Sequence, residues 1–390
     1  MIKNIRVLIV SQSYPPDPIR GAEKVAMSVA KALCERCEVQ VLALGDQDGY
    51  DDSLGYRVHR IVYHNKPRPG VQNLDLGVVQ KVFWHGRNAL GGVNPQALRV
   101  LLKEIAPDVV YIHNASGLQP QLFQACQAFG FPVVQHLHDY ATLCPSTTMY
   151  KNGSNYERPP ITSRILTSAF RRAAKQVGDV IAVSNFVKKR HATLGVYPKA
   201  RWHVVYNTDP TNLEEYVPKS EGIFTFGFIG ALTEAKGLGD LVSAYESLPA
   251  GSARLVIAGQ GEEDYVAALR ARCADLTVDW MGQTSPNDFY SSIDCLVVPS
   301  RWHEPQALVV VEGLRRGLPI IASDRGGNTE VLQNRPGHRL YDPDATGALA
   351  DAMVAMTGVN KPAPVSLNDD FFARIEAILL AAVKNGVGHA

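Results

Sequence analysis

No run of about 18 consecutive apolar residues occurs anywhere in the 390-residue chain, so no membrane-spanning helix is expected. The first apolar run, Val7 to Val10, is far too short for the apolar region of a signal peptide. Cysteine is sparse. The six residues at 34, 37, 126, 144, 273 and 295 are too scattered for a disulfide scaffold, and a reduced, cytoplasmic protein with free thiols is expected. Cys34 and Cys37 form a C-x-x-C, but it ends a predicted helix and has no second pair of matching spacing, so inert thiols are expected. Charge of one sign is also lacking. Against 39 Lys and Arg stand 38 Asp and Glu, a formal net charge of +1, which argues against a nucleic-acid binder with a basic footprint over its whole surface. No G-x-G-x-x-G follows the first strand, which argues against a Rossmann oxidoreductase.

What is present is a 46% hydrophobic composition, enough for a substantial core. Short β-branched runs alternate with helical patterns from end to end. Residues 5–10, 38–42, 58–62, 109–113, 132–137 and 179–183 read as strands; 22–33, 95–105 and 118–128 read as helices. The pattern restarts at 224–229 and continues through strands 254–258, 278–280, 295–298 and 319–322. Continuous apolar strands between helices imply parallel sheets covered on both faces. One sheet would rarely need so many strands, so two doubly wound α/β domains in tandem are expected. The expected division is 1–207, 208–365 and a final helical segment 366–390 packing back across the junction, with a hinge in the polar stretch 207–220.

Ligands of such sheets bind at the C-terminal ends of the strands. In P-S-R-W-H-E-P-Q-A-L-V-V-V-E-G-L, Pro299 to Leu314, the carboxylates Glu304 and Glu312 are separated by seven residues around a helix start. Glu312 interrupts an otherwise apolar face, where a carboxylate is costly without a hydrogen-bonded partner. Downstream, Gly326-Gly327 follows a strand and opens a helix, which lets backbone amides approach an anion. Upstream, a strand ends at Gly230, and Lys236 opens the next helix as a point charge suited to a diphosphate.

Taken in this order, the motifs resemble those of the retaining glycosyltransferases of the GT-B fold, glycosyltransferase family 4. The resemblance rests on Gly230, Lys236-Gly237, Pro299-Ser300, Glu304 with Glu312, and Gly326-Gly327 with Glu330. In the first half it extends to Arg20-Gly21-Ala22-Glu23, to His138-Asp139, to Val183-Ser184-Asn185 and to Asn207. It implies two Rossmann-like domains facing across a cleft that closes on a UDP- or GDP-sugar donor. Glu312 would then bind the ribose, Lys236 the diphosphate and Glu304 the donor sugar. The backbone around Gln306, Ala307 and Leu308 would hold sugar hydroxyls. His138 would reach the transferred sugar, and Gly21 would lie near the diphosphate. Arg20, Asp139, Gly326 and Gly327 fall on the acceptor or phosphate side. Charge separation at the anomeric bond asks for fixed electrostatic stabilisation. Lys236 and helix N-termini meet it with no metal and no cofactor. Asp342-Pro343-Asp344 resembles a metal-binding D-x-D only superficially.

Three departures stand out. Ala231 follows the glycine where the family has Arg, so Arg301 or Arg20 is expected to compensate. Arg20 replaces the first glycine of its loop, and Gln306-Ala307 replaces the more common Phe-Gly. The acceptor would be a glycan or a lipid-linked sugar. Residues 151–205 carry eleven Lys or Arg against Glu157 and Asp179, a local charge of +9 beside a remainder of −8. A basic amphipathic helix over 161–176 is expected, for which peripheral contact with an anionic membrane at its inner face and a solvated basic rim are both open readings. A same-fold epimerase, a glycan phosphorylase or a catalytically silent nucleotide-sugar-binding partner remain alternatives.

Overall fold

The computed structural model describes residues 5–68, 77–209, 217–219 and 222–387. The expected hinge stretch lies partly outside them. The chain divides into two compact units. The first comprises 1–148, 158–206 and 370–390; the second comprises 149–157 and 207–369.

The first unit contains β1 (Arg6–Val10), α1 (Gly21–Leu33), β2 (Glu38–Gly45), β3 (Gly49–Asp51), β4 (Arg57–Val62), α2 (Val78–Ala89), α3 (Pro95–Ile105), β5 (Val109–Ile112), α4 (Gln121–Phe129) and β6 (Val133–Leu137). After an excursion into the second unit as β7 (Tyr150–Lys151) and β8 (Ser154–Asn155), it resumes with α5 (Ile161–Leu166), α6 (Ser168–Ala173), β9 (Asp179–Ala182), α7 (Asn185–Thr193) and β10 (Arg201–Val204). Its sheet runs β10-β9-β6-β5-β1-β2-β4-β3, parallel except for β3. The strands β5, β6 and β9 are buried along their whole length, as helices on both faces require.

The second unit contains β11 (Thr225–Ile229), α8 (Leu238–Glu246), β12 (Arg254–Ala258), α9 (Glu263–Arg272), β13 (Val278–Gly282), α10 (Pro286–Ser291), β14 (Cys295–Val298), α11 (Leu308–Arg315), β15 (Ile320–Ser323), α12 (Gly327–Leu332), β16 (His338–Tyr341) and α13 (Ala348–Met356). Its sheet is wholly parallel, in the order β13-β12-β11-β14-β15-β16. The strand order reverses between β11 and β14, and that switch point opens a crevice at the strands' C-terminal ends.

The chain then returns to the first unit as α14 (Phe371–Val387). Phe371, Ile375, Leu379 and Ala382 form its buried stripe at helical spacing. Arg374 donates to the Val204 carbonyl (2.8 Å), and Glu376 pairs with Arg36 (3.0 Å).

Two local expectations differ from what is found. The helix expected over 161–176 is broken into α5, α6 and a short 3₁₀ turn. At the break Thr167 turns its hydroxyl back to the Ser163 carbonyl (2.9 Å), the local competition that bends helices at Thr. The 149–157 excursion also departs from a division at 207. Its turn, Asn152-Gly153, has φ of 50° and 77°, the positive pair a two-residue hairpin favours.

Candidate functional site

In the second unit the sequence-predicted residues gather at the switch point. Gly230 ends β11, Pro299-Ser300 end β14, and Gly326-Gly327 follow β15. Lys236 closes a 3₁₀ turn ahead of α8. Gly237 holds φ +73°, and a Cβ there would fall 1.8 Å from the Pro299 carbonyl oxygen, so only glycine lets these two loops meet.

Glu304 is the hub. Its carboxylate is buried, at 3% exposure. Oε1 accepts from Lys236 Nζ (2.6 Å), Ser300 Oγ (2.7 Å) and Trp302 Nε1 (2.8 Å). Among the described residues Oε2 carries no such bond. The Lys236 ammonium also lies over the Trp302 ring, 5.2 Å from its centroid. Sequence reasoning gave Glu304 and Lys236 separate ligands; the structure pairs them with each other.

The Gly-Gly loop locks this hub from behind. Gly327 N–H donates to the Glu304 carbonyl (2.7 Å), and Gly326, at φ +69°, packs so closely that a Cβ would lie 2.2 Å from the same oxygen. The Gly327 amide expected to face an anion is thus spent on the backbone of Glu304. Ala307 behaves likewise, donating its amide to Asn328 Oδ1 (2.9 Å). Gln306 is buried, and its Oε1 accepts from Asn207 N–H (2.7 Å). Leu308 opens α11, whose first-turn amides face the end of the helix.

Glu312 is buried on α11, where it accepts from the Tyr290 hydroxyl (2.6 Å). Burial, reinforced by the Glu312 charge, pushes that phenol well above its usual range. The neighbouring Arg316 pairs with Asp209 (2.9 Å), both side chains fully buried, and its guanidinium lies over the Tyr290 ring. Arg301 makes a two-pronged pair with Asp240. Asn155 of the β7–β8 hairpin donates to the Arg301 carbonyl (2.8 Å) and accepts from His303 N–H (3.1 Å). Tyr150 of the same hairpin donates to Glu234 (3.1 Å). Sequence reasoning missed this bracing, as it missed Tyr290, Asn328 and Asp240.

The first unit carries the remaining residues at the C-terminal ends of its own strands. Gly21 begins α1, and Arg20 N–H donates to Glu23 Oε2 (3.1 Å). His138 follows β6, and its Nε2 lies 3.0 Å from Nδ1 of His113, which follows β5. Burial draws His138 down to about 3, and holds His113 and His136 well below the usual imidazole range with help from their like neighbours. Asp139 accepts from Ala141 N–H (2.8 Å), yet burial raises its carboxyl to about 6. His113 escaped sequence reasoning, although its place at the end of an apolar strand was a usable signal.

Two family models match the chain. One is described as "Glycosyltransferase Family 4" and covers residues 19–208; the other, "Glycosyl transferases group 1", covers 223–358. An uncharacterised 42.6 kDa protein of the cps region of Klebsiella pneumoniae is 24% identical over 335 residues, 85% of this chain and 88% of that one. A GDP-mannose-dependent alpha-mannosyltransferase of Mycobacterium tuberculosis is 28% identical over 371 residues, 88% of each. Among solved structures, sucrose-phosphate synthase of Thermosynechococcus elongatus superposes with a TM-score of 0.68 at 17% identity, covering 98% of this chain and 97% of that one. Anabaena HepE in complex with UDP-glucose gives 0.66 at 19% identity, covering 98% of each.

Proposed function

The chain belongs to the group 1, family 4 glycosyltransferases and has their GT-B architecture of two parallel-sheet domains, and from that premise we propose that it moves a hexose, with retention and without a metal, from a nucleotide-sugar donor to a hydroxyl of a glycan or lipid-linked acceptor in polysaccharide or glycolipid assembly. The observation that carries this reading is the convergence of Lys236, Ser300 and Trp302 on one buried oxygen of Glu304 at the switch point of the second sheet. A carboxylate and an ammonium held this way suit the two ends of a breaking sugar–phosphate bond. Lys236 has two further N–H donors for the leaving diphosphate. Oε2 of Glu304 is left for a hydroxyl of the donor sugar. Glu312, oriented by Tyr290, is assigned to the ribose. With the Ala307 amide committed to Asn328, sugar hydroxyls fall to Leu308 and the side chain of Gln306.

The leaving group needs more positive charge than Lys236 alone, since Ala231 supplies none. Arg301 is the substitute within the same unit, its N–H donating to the carbonyl of Ala235 next to Lys236 (2.9 Å). Its pair with Asp240 is partly exposed on both sides, 39% and 31%, and exposed pairs are worth only about 0–1 kcal/mol. Its partial exposure leaves the guanidinium open to exchanging Asp240 for a diphosphate. In the first unit, neutral His138 is assigned to the sugar as a hydrogen-bonding group, and Asp139 to the acceptor side.

A lipid-linked acceptor would place this protein at a membrane surface, and the first unit has a face suited to it. Helices α2 and α5 pack together and expose Val79, Phe83, Ile161 and Ile165, each more than three-fifths accessible. Residues 158–205 hold ten Lys or Arg and one acid, so the excess of nine lies within the first unit. Apolar side chains among basic ones suit an anionic bilayer. Salt-sensitive binding to vesicles containing phosphatidylglycerol, lost in Phe83→Glu and Ile165→Glu, is the expected result. No binding at low salt would remove the membrane from the reading.

The test of the donor assignment is thermal stabilisation by a panel of UDP- and GDP-sugars, which scales as RT ln(1 + [L]/Kd). At least one is expected to stabilise the wild type and to fail with Lys236→Met. No stabilisation by any donor would refute it.

A further inference from the structure

His113, His136 and His138 form a cluster that sugar transfer alone does not account for. Strands β5 and β6 are parallel neighbours with Ile112 opposite Gln135, so His113 falls level with His136. His136 lies on β6 and His138 follows its end two residues on, so the two rings fall on the same side. One nitrogen from each of the three rings lies within 4.8 Å of the other two. His113 Nδ1 and His138 Nε2 are already 3.0 Å apart.

Two features separate this cluster from a set of ordinary core histidines. His113 and His136 are 3% and 0% exposed, yet Nε2 of each has no hydrogen-bond partner among the described residues. Buried ring nitrogens are normally satisfied, so the orphan on His136, beside a pair already 3.0 Å apart, calls for an occupant. Second, His136 Nδ1 lies 2.7 Å from the Tyr111 hydroxyl. With Nδ1–H donating to that oxygen, Nε2 presents its lone pair, the arrangement that orients metal-binding imidazoles. A hydrogen bond between His113 and His138 satisfies one pair of nitrogens and leaves His136 out. A cation bound through His113 Nδ1, His138 Nε2 and His136 Nε2 brings in the third ring and takes up the orphaned nitrogen of His136.

The spacing identifies the kind of cation. Zn–N bonds of about 2.0–2.1 Å at tetrahedral angles place ligand nitrogens roughly 3.3 Å apart. One pair is close to that already, and a shift of up to about 1.5 Å brings in the third nitrogen. Three neutral imidazoles suit zinc and its transition-metal neighbours rather than magnesium or calcium. Asp139 and Asn114 line the same small cavity and offer oxygen for a fourth position.

We propose that His113, His136 and His138 form a three-histidine site for a zinc-class divalent cation. The cation is not part of sugar transfer; when bound through Nε2 it fixes the His138 ring against His113 and withdraws it from the sugar, so it switches the reaction off. The ion-binding claim stands independently of the glycosyl-transfer reading, and only the inhibition rests on it.

The test uses the full chain after chelator treatment, titrated with Zn²⁺ and with Co²⁺ as a spectroscopic stand-in. Wild type is expected to bind one equivalent, and bound Co²⁺ to show the strong visible absorption of low coordination. Mg²⁺ should not compete. His113→Gln and His136→Gln should each weaken binding at least tenfold, while the second-unit control His338→Gln leaves it unchanged. If the variants do not fold, the wild-type Co²⁺ spectrum decides: absent or weak octahedral bands overturn the site. Unchanged affinity in both folded variants overturns it as well. Where donor turnover is measurable, one equivalent of Zn²⁺ should abolish it, chelator should restore it, and His136→Gln should be insensitive. Turnover indifferent to a stoichiometrically bound ion would overturn the switch and leave the site.

Discussion

The Glu304 hub makes a quantitative prediction for Glu304→Gln. Three donors meet one oxygen, and all three bonds are charge-assisted. Such bonds are worth about 1.5–3 kcal/mol, roughly twice a neutral one. Glutamine keeps the shape and one acceptor but loses the charge, at about 1 kcal/mol per bond, or about 3 kcal/mol in all. For a unit of this size each kcal/mol lowers Tm by about 2–4 °C, so the second unit should melt roughly 6–12 °C earlier. Lys236→Met removes one of the three bonds. The double variant should therefore be less destabilised than the sum of the singles by at least about 0.5 kcal/mol, as contacting groups are. The assay is fluorescence-detected unfolding in a Trp84→Phe/Trp202→Phe background. The remaining indoles, Trp280 and Trp302, both belong to the second unit, and Trp302 touches Glu304 directly. Additivity within about 0.3 kcal/mol would show that the two residues do not interact, and would refute the hub.

Other predictions concern charge and protons. The Asp139 carboxyl, raised to about 6, should give kcat/KM an ascending limb near that pH, and Asp139→Asn should flatten it. A limb that persists in the variant would take Asp139 out of the reaction. His191 is buried and drawn down to about 4, against about 6.5 unfolded. Native protein is therefore favoured above pH 6.5 and loses that advantage as pH falls towards 4. At pH 5.5 unfolding should take up about 0.9 more proton in wild type than in His191→Gln, measured by pH-stat. Equal uptake would mean that the ring titrates normally in the fold. Arg301→Ala should raise donor KM about tenfold or more, and Arg20→Ala less; no change in either would mean that the charge missing at Ala231 is not replaced.

Much of this was legible in the chain. Four- to six-residue β-branched runs announced the strands, and their restart at 224–229 announced the second sheet. Lys236-Gly237, Glu304, Glu312 and Gly326-Gly327 were legible because the candidate site is built from short motifs at and just after strand ends. What was not legible depends on partners remote in sequence. Asn328 takes the Ala307 amide from 21 residues away, Tyr290 reaches Glu312 across 22, and Asn155 reaches His303 across 148. Nothing in the local pattern encodes those meetings; they follow from strand order and loop packing. The histidine cluster is intermediate, since all three rings lie in or just after apolar strands, but only the β5–β6 register brings His113 to His136. The break at Thr167 was missed because residues 161–176 have helical composition throughout, and a single side-chain hydroxyl decided otherwise.

The most direct test of the central claim is anomeric. Each UDP- and GDP-sugar that stabilises the protein is incubated with it and candidate lipid-linked or glycan acceptors, in chelator, and the products are followed by proton NMR. The expected result is release of nucleoside diphosphate coupled to a new glycosidic bond with the donor's anomeric configuration, lost in Lys236→Met and reduced about a hundredfold or more in Glu304→Gln, the scale of losing one fixed electrostatic contact. Inverted product, phosphate-dependent glycan cleavage, or donor that is epimerised with no acceptor present would contradict the account.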